Sequence, residues 1–226
     1  MISRFIRWVG ASALALASLL APMQAGAVTI NFEGASLTGL YFVGDSFTQS
    51  GYNVTASYDF GIVDTAATMN PAVRPIGNSS QFYFATNDGG LWIESESQTG
   101  FQLLGFSAAF VPQSPPSAQQ TVIVAFATYM DNSQYGVAWL FAPATGGNYN
   151  WGLYNNPLDF APFVNMRYLD FFACSYDGVN ICAQPTNNNG QFVIDNIHVV
   201  PEPSALALSM IALFGLALTR RRTTLR

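Results

Sequence analysis

Few side chains in this sequence could do chemistry, and their types decide which reactions are open. There is one histidine, His198, two cysteines, Cys174 and Cys182, and no lysine. A Ser-His-Asp or Cys-His site needs an imidazole facing a pocket. His198 instead closes a strand-like run, VIDNIHVV, and reads as a surface strand residue. No lysine is present for a Schiff base, no His/Cys cluster for zinc, and no phosphate-cradling glycine loop. Carboxylates remain. Glu94 and Glu96 stand two apart in LWIESE, so a strand projects both from one face. Two carboxyls about 5–10 Å apart are what glycoside hydrolysis uses. The same spacing also describes the solvated side of a sheet whose Leu91 faces the core, and that is the commoner arrangement.

Asp195 poses a sharper question. Simple alternation puts Val193, Asp195, Ile197 and Val199 on one strand face. If that face is inward, a carboxylate lies among aliphatics and must find a partner. A calcium ion, which takes oxygen ligands, is one solution. Backbone N–H groups or Arg167 are the other. Sugar recognition calls for aromatic platforms beside amides and carboxylates, and the candidates are Trp92, Trp139, Tyr149, Trp151 and Tyr154. The segment GGNYNWGLYNN interleaves rings with Asn and Gly most densely, so Tyr149, Trp151 and Tyr154 lead as glycan-binding candidates. Alternate rings there also suit a sandwich core, as does Trp139 within its apolar strand.

The elements that must position these groups lie between two address segments. Met1 to Ala27 carries Arg4 and Arg7, an apolar stretch from Trp8 to Leu20, and Ala25-Gly26-Ala27. This is a signal peptide, with signal peptidase expected to cut after Ala27. At the other end stand Pro201-Glu202-Pro203, an apolar run from Ala205 to Leu218, and Arg220, Arg221 and Arg222. A helix from Pro203 to Thr219 would rise roughly 25 Å, enough for a minimal transmembrane span. The arginines would stay cytoplasmic and the body of the chain would lie outside. The two prolines keep the preceding backbone extended and open to a processing enzyme.

Tripeptide, short apolar helix and basic cluster, in that order at the C-terminus, resemble the PEP-CTERM sorting signal of Gram-negative bacteria. The resemblance covers residues 200–226. It implies transient insertion in the inner membrane, cleavage by an exosortase near Pro201-Glu202-Pro203, and a final place at the cell surface, outer membrane or extracellular matrix. It also implies a role in exopolysaccharide or biofilm.

Between the addresses, residues 28–200 form one domain. Arg74 and Arg167 are its only cations, against twelve carboxylates from Glu33 to Asp195, so its net charge is near minus ten. Such a surface cannot replace phosphate counterions, which excludes nucleic acid as a partner. Neutral glycans and cations suit it better. Export through an oxidising compartment predicts a Cys174–Cys182 disulfide across the Asp177-Gly178 turn. Nine β-rich runs, 28–33, 52–58, 81–86, 91–96, 101–110, 121–130, 135–141, 165–173 and 191–200, alternate with Gly-, Asn- and Pro-rich turns. That punctuation predicts an all-β antiparallel β-sandwich.

The opening VTINFEG, the later GYNVTAS and the closing QFVIDNIHVVPEP look like strands of the jelly-roll domain found in exported PEP-CTERM proteins, a domain similar to carbohydrate-binding modules. The resemblance implies a structural calcium shared by the first and last strands, with Glu33 and Asp195 as ligands and Asn196 nearby. The functional expectation is a non-catalytic glycan-binding or structural component of an extracellular polysaccharide. The alternative is a polysaccharide hydrolase or lyase using Glu94 and Glu96.

Overall fold

Burial alternates with period two along this chain, and that is what makes it strands. In Tyr52–Ser57, Tyr52, Val54 and Ala56 turn inward while Asn53, Thr55 and Ser57 turn outward. The structure, a computed structural model, describes residues 26–35, 39–71, 73–112, 120–141, 149–182 and 190–202. Ala25 and the signal segment before it, Pro203, the apolar helix, and Arg220, Arg221 and Arg222 lie outside the described residues. Among the described residues no helix is long and apolar enough to cross a membrane.

The strands are β1 (Val28–Ile30), β2 (Leu40–Phe42), β3 (Ser46–Gln49), β4 (Tyr52–Ser57), β5 (Phe60–Thr65), β6 (Gln81–Thr86), β7 (Gly90–Ser95), β8 (Phe101–Phe110), β9 (Gln120–Tyr129), β10 (Gln134–Leu140), β11 (Gly152–Tyr154), β12 (Met166–Tyr176) and β13 (Phe192–Pro201). One helical turn, α1 (Pro157–Phe160), precedes β12. All nine expected strands are present, with β2, β3, β5 and β11 added. Three of those four are only three or four residues long, too short for their alternation to stand out in sequence.

The named strands pair antiparallel throughout, and they form the two layers of a jelly-roll sandwich. The first sheet runs β2-β5-β6-β13-β8, with β1 also on β13 and β11 on β8. The second runs β3-β4-β7-β12-β9-β10. The pair Met166↔Phe101 joins them. Val63, Tyr83, Phe106 and Ile194 from the first sheet meet Val54, Ile93, Ile123 and Phe171 from the second in one core. Phe106 is central to it, with Trp139, Tyr154, Phe160 and Phe171 all within 6.0 Å between ring centroids.

The last strand departs from simple alternation. Asn196 has φ 51°, and the β13–β8 register shifts between Asp195 and His198. This bulge advances the phase by one residue. Phe192 and Ile194 before it, and Ile197 and Val199 after it, all face the main core. Val193 packs on the opposite face. The expected single face for Val193, Asp195, Ile197 and Val199 is thereby corrected. The bulge falls where β13 changes partner from β6 to β1.

The outer faces of the two sheets are finished differently. On the first, Ala66, Met69, Val73 and Trp151 pack over Phe82, Phe84, Ala109 and Val193. On the second, the described residues provide such cover at one end. There Cys174 and Cys182 are bonded, with Cα atoms 5.0 Å apart, and Cys182 lies over Val122 and Val124. The disulfide is as the sequence predicts. Among the described residues, Trp92 remains exposed on the rest of that face.

Candidate functional site

Register across the open face sets the rows of side chains. Thr55, Trp92, Asp170 and Phe126 stand in line on β4, β7, β12 and β9. The next row is Asn53, Glu94, Tyr168 and Thr128. Trp92 is 40% exposed, high for so large a ring within a strand. Tyr168 meets it edge-on, with centroids 4.9 Å apart and planes at 87°. Arg167 occupies the register shift at the start of β12, and its guanidinium carbon lies 4.8 Å over the Tyr168 ring. The ring therefore has its cation from the same strand.

Asp170 is the charged centre of this face. Ser57 donates its hydroxyl to Oδ1 at 2.9 Å, and Tyr58 donates its phenol to Oδ2 at 2.6 Å. Burial pushes the Asp170 carboxyl up to about 6, against the downward pull of those two hydroxyls. Burial and the Asp170 charge together push the Tyr58 and Tyr83 phenols up.

Tyr58 reaches the carboxylate from a strained turn, at φ 66°, a conformation that costs a non-glycine residue on the order of 1–3 kcal/mol. Its ring lies 5.6 Å from Phe172. Gly90 makes room beneath it, because a Cβ there would come within 2.6 Å of Ser57 Oγ and 2.8 Å of the Tyr58 ring.

The sequence candidates lie elsewhere, apart from Trp92 and Glu94. Tyr149 packs edge-on against Phe110 at 5.4 Å, and Trp151 lies tilted against Phe82 at 5.7 Å. Tyr154 stacks on Phe106 at 4.9 Å and donates its hydroxyl to the Leu140 carbonyl. Tyr149 and Tyr154 join the main core and Trp151 the cover of the first sheet, so the three rings do not share one platform. Trp139 stacks on Phe160 at 5.4 Å. Glu94 stands on the open face beside Trp92, whereas Glu96 lies past the strand end, where its N–H donates to the Gly51 carbonyl. His198 Nδ1 is 2.9 Å from Thr29 Oγ1 on the neighbouring strand.

Glu33 and Asp195 both fasten the approach to β6. Glu33 Oε1 accepts from the Gln81 amide at 3.0 Å. Asp195 is fully buried. Its Oδ2 accepts from Asn78 Nδ2 at 2.8 Å, Ser80 Oγ at 2.7 Å and Asn196 Nδ2 at 3.1 Å, while Oδ1 takes the Asn196 N–H. Burial raises this carboxyl too, with the Glu33 charge a smaller contribution in the same direction. Asn78 Oδ1 is held by the Ser80 N–H at 2.8 Å, which turns Nδ2 toward Asp195. Protons rather than oxygens converge on the carboxylate, and this arrangement does not fit a calcium ion. Among the described residues no three His, Cys, Asp or Glu side chains gather as a metal site.

Comparison with known proteins bears on the tail and on the fold. Residues 199–222 match the PEP-CTERM protein-sorting motif. That motif marks an exported protein directed to the cell surface and handled by an exosortase. No curated protein matches the sequence. Among solved structures the chain is similar to a DUF4465 family protein from Bacteroides caccae ATCC 43185, at TM-score 0.53 and 13% identity, over 78% of this chain and 100% of that one. At that identity the likeness is one of fold. A looser likeness, at TM-score 0.37 and 10% identity, is to the C-terminal family 22 carbohydrate-binding module of Clostridium thermocellum Xyn10B, over 79% of this chain and 96% of that one.

Proposed function

We propose, on the premise that the chain ends in a PEP-CTERM sorting motif, that the mature protein binds an extracellular polysaccharide without catalysis, on the open face of its second sheet. The observation that carries this reading is the exposed Trp92 ring, edged by Tyr168 and directly across the sheet from Asp170. A pyranose lays its C–H face on such a ring, while its hydroxyls donate to carboxylates alongside. Asp170 and Glu94 supply acceptors and Asn53 an amide. The strained Tyr58 supports the same reading, since strain collects where a side chain is held for a ligand.

Export follows from the two ends. Signal peptidase cuts after Ala27, and the exosortase cuts near Pro201-Glu202-Pro203. Because β13 runs to Pro201, paired with Phe101, a cut beyond that residue leaves the sandwich whole. The protein then serves in the exopolysaccharide or biofilm matrix.

Affinity electrophoresis in gels containing the producer's exopolysaccharide tests the reading. Retardation that disappears in Trp92→Ala supports it, and unchanged mobility of the wild type overturns it. A second reading, a polysaccharide hydrolase, draws on the raised Asp170 carboxyl. Glu94 is its diagonal neighbour across β7 and β12, a relation that puts Cα atoms roughly 7–8 Å apart. Asp170 would protonate the leaving oxygen and Glu94 would take a proton from the attacking water. Shortening of the polymer during the assay would favour it.

A further inference from the structure

We infer that the glycan received on the open face is cationic, a polymer of pyranose rings bearing free amines, with the ammonium seated against Asp170 between Tyr58 and Trp92. The inference rests on the glycan-binding reading and adds the charge of the ligand.

The argument starts from an unfinished charge. Asp170 accepts from two neutral hydroxyls, Ser57 and Tyr58, and among the described residues no cation pairs with it. The domain's two arginines are engaged elsewhere. Arg74 donates to the Ala66 carbonyl at 3.2 Å, and Arg167 lies on Tyr168. A carboxylate withdrawn from water without a counter-charge is unfavourable. A neutral sugar hydroxyl leaves that imbalance in place, whereas an ammonium removes it.

The surroundings fit the same charge. Trp92 stands across the sheet from Asp170 with its ring exposed, and an aromatic face attracts cations while repelling anions. Glu94 stands diagonally across the sheet from Asp170, and the domain as a whole is strongly acidic, so a uronic-acid polymer is repelled and a polyamine attracted. Trp92 asks for more than charge. A broad, exposed ring suits the flat C–H face of a sugar better than the narrow alkyl stem of a lysine.

Titration calorimetry of the full chain in detergent micelles tests this, near neutral pH. The probes are a β-1,4-linked glucosamine hexasaccharide, its fully N-acetylated counterpart and hexalysine. The glucosamine oligomer is expected to bind at least roughly tenfold more tightly than the acetylated one, and Asp170→Asn is expected to abolish the difference. The two wild-type affinities decide the matter even if that variant folds poorly. Equal affinities, or a preference for the acetylated oligomer, overturn the amine and leave the glycan reading standing. So does failure to bind either oligomer by a chain still retarded by the exopolysaccharide. Hexalysine binding as tightly as glucosamine overturns the sugar in favour of a cationic peptide. No retardation and no oligomer binding bring down the glycan reading and this inference together.

Discussion

Asp195 and Asp170 are both pressed out of water, and the fold treats them differently. Asp195 sits at the bulge in β13 and takes hydrogen bonds from Asn78, Ser80 and Asn196. Asp170 sits on an open strand face and takes two, from side chains at one strand end and the turn beyond it. Burial raises both carboxyls. The first is closed by the protein and holds the fold together. The second is left half-satisfied beside an exposed tryptophan. A complete donor shell is the signature of a structural charge, and an incomplete one, beside unused apolar surface, is the signature of a binding face.

The comparison is broken most severely at Asp195. Asp195→Ala strands three side-chain donors and a backbone amide, so unfolding in urea should show a loss of about 3 kcal/mol or more. Glycan retention by the remaining folded protein should be unchanged. Chelator should leave the wild-type melting temperature where it is. A drop would put a calcium ion among Glu33, Asp195 and their neighbours, and would end the claim that protein donors complete this carboxylate.

At Asp170 the sign reverses. Its carboxyl is raised to about 6, so the stability it contributes is present below the ordinary carboxylate range and lost as pH rises through about 6. Asp170→Asn should remove that loss and gain up to ~1–2 kcal/mol at neutral pH relative to wild type, part of the gain being offset by weaker bonds to Ser57 and Tyr58. The difference between variant and wild type isolates this site from Asp195, whose rise has the same sign. The titratable groups around Asp170 are Tyr58 and Tyr83, with Glu94 diagonally across the sheet, while Arg167 is turned onto Tyr168. If the variant is less stable at neutral pH, Asp170 is structural like Asp195 and the contrast fails.

Trp92→Ala separates binding from folding on the same face. At 40% exposure the ring contributes modestly to the core, so the stability loss should stay near 1 kcal/mol while glycan affinity falls roughly tenfold or more. A large loss of stability with unchanged affinity would return Trp92 to a packing role.

Much of this fold was legible in the sequence, because alternation and turn residues mark long strands, and two cysteines around Asp177-Gly178 mark a staple. The phase of β13 was not legible, since a one-residue bulge at Asn196 leaves no compositional trace. Trp92 stood out as an aromatic in a polar strand, but its partners did not. MRYLDFFA reads as a strand without naming its neighbours, and only the β7–β12 register puts Asp170 opposite Trp92. The ring-rich 149–154 segment drew notice through local density, yet tertiary packing turned its rings onto Phe82, Phe106 and Phe110. Tyr58 follows a strand, where nothing announces a left-handed backbone. Its ring position depends on the missing Cβ of Gly90, from a different strand.

Tyr58→Phe sharpens the contrast by the smallest change, one oxygen. The ring stays against Phe172 and the backbone keeps its strain, so the face retains its shape. Asp170 loses the shorter of its two hydrogen bonds, and since that bond holds its carboxyl down, the carboxyl should rise above about 6, read directly from the Asp170 carboxyl carbon in an NMR titration. Stability should change by less than about 1 kcal/mol, because a neutral hydroxyl near solvent readily trades the bond for water. Affinity for an amine-bearing glycan near neutral pH should fall only a few-fold, since the ammonium replaces the phenol as the partner of the charge. A carboxyl that does not move would mean that Tyr58 is not holding it, and Asp170 would then owe its place on the open face to Ser57 and the strand alone.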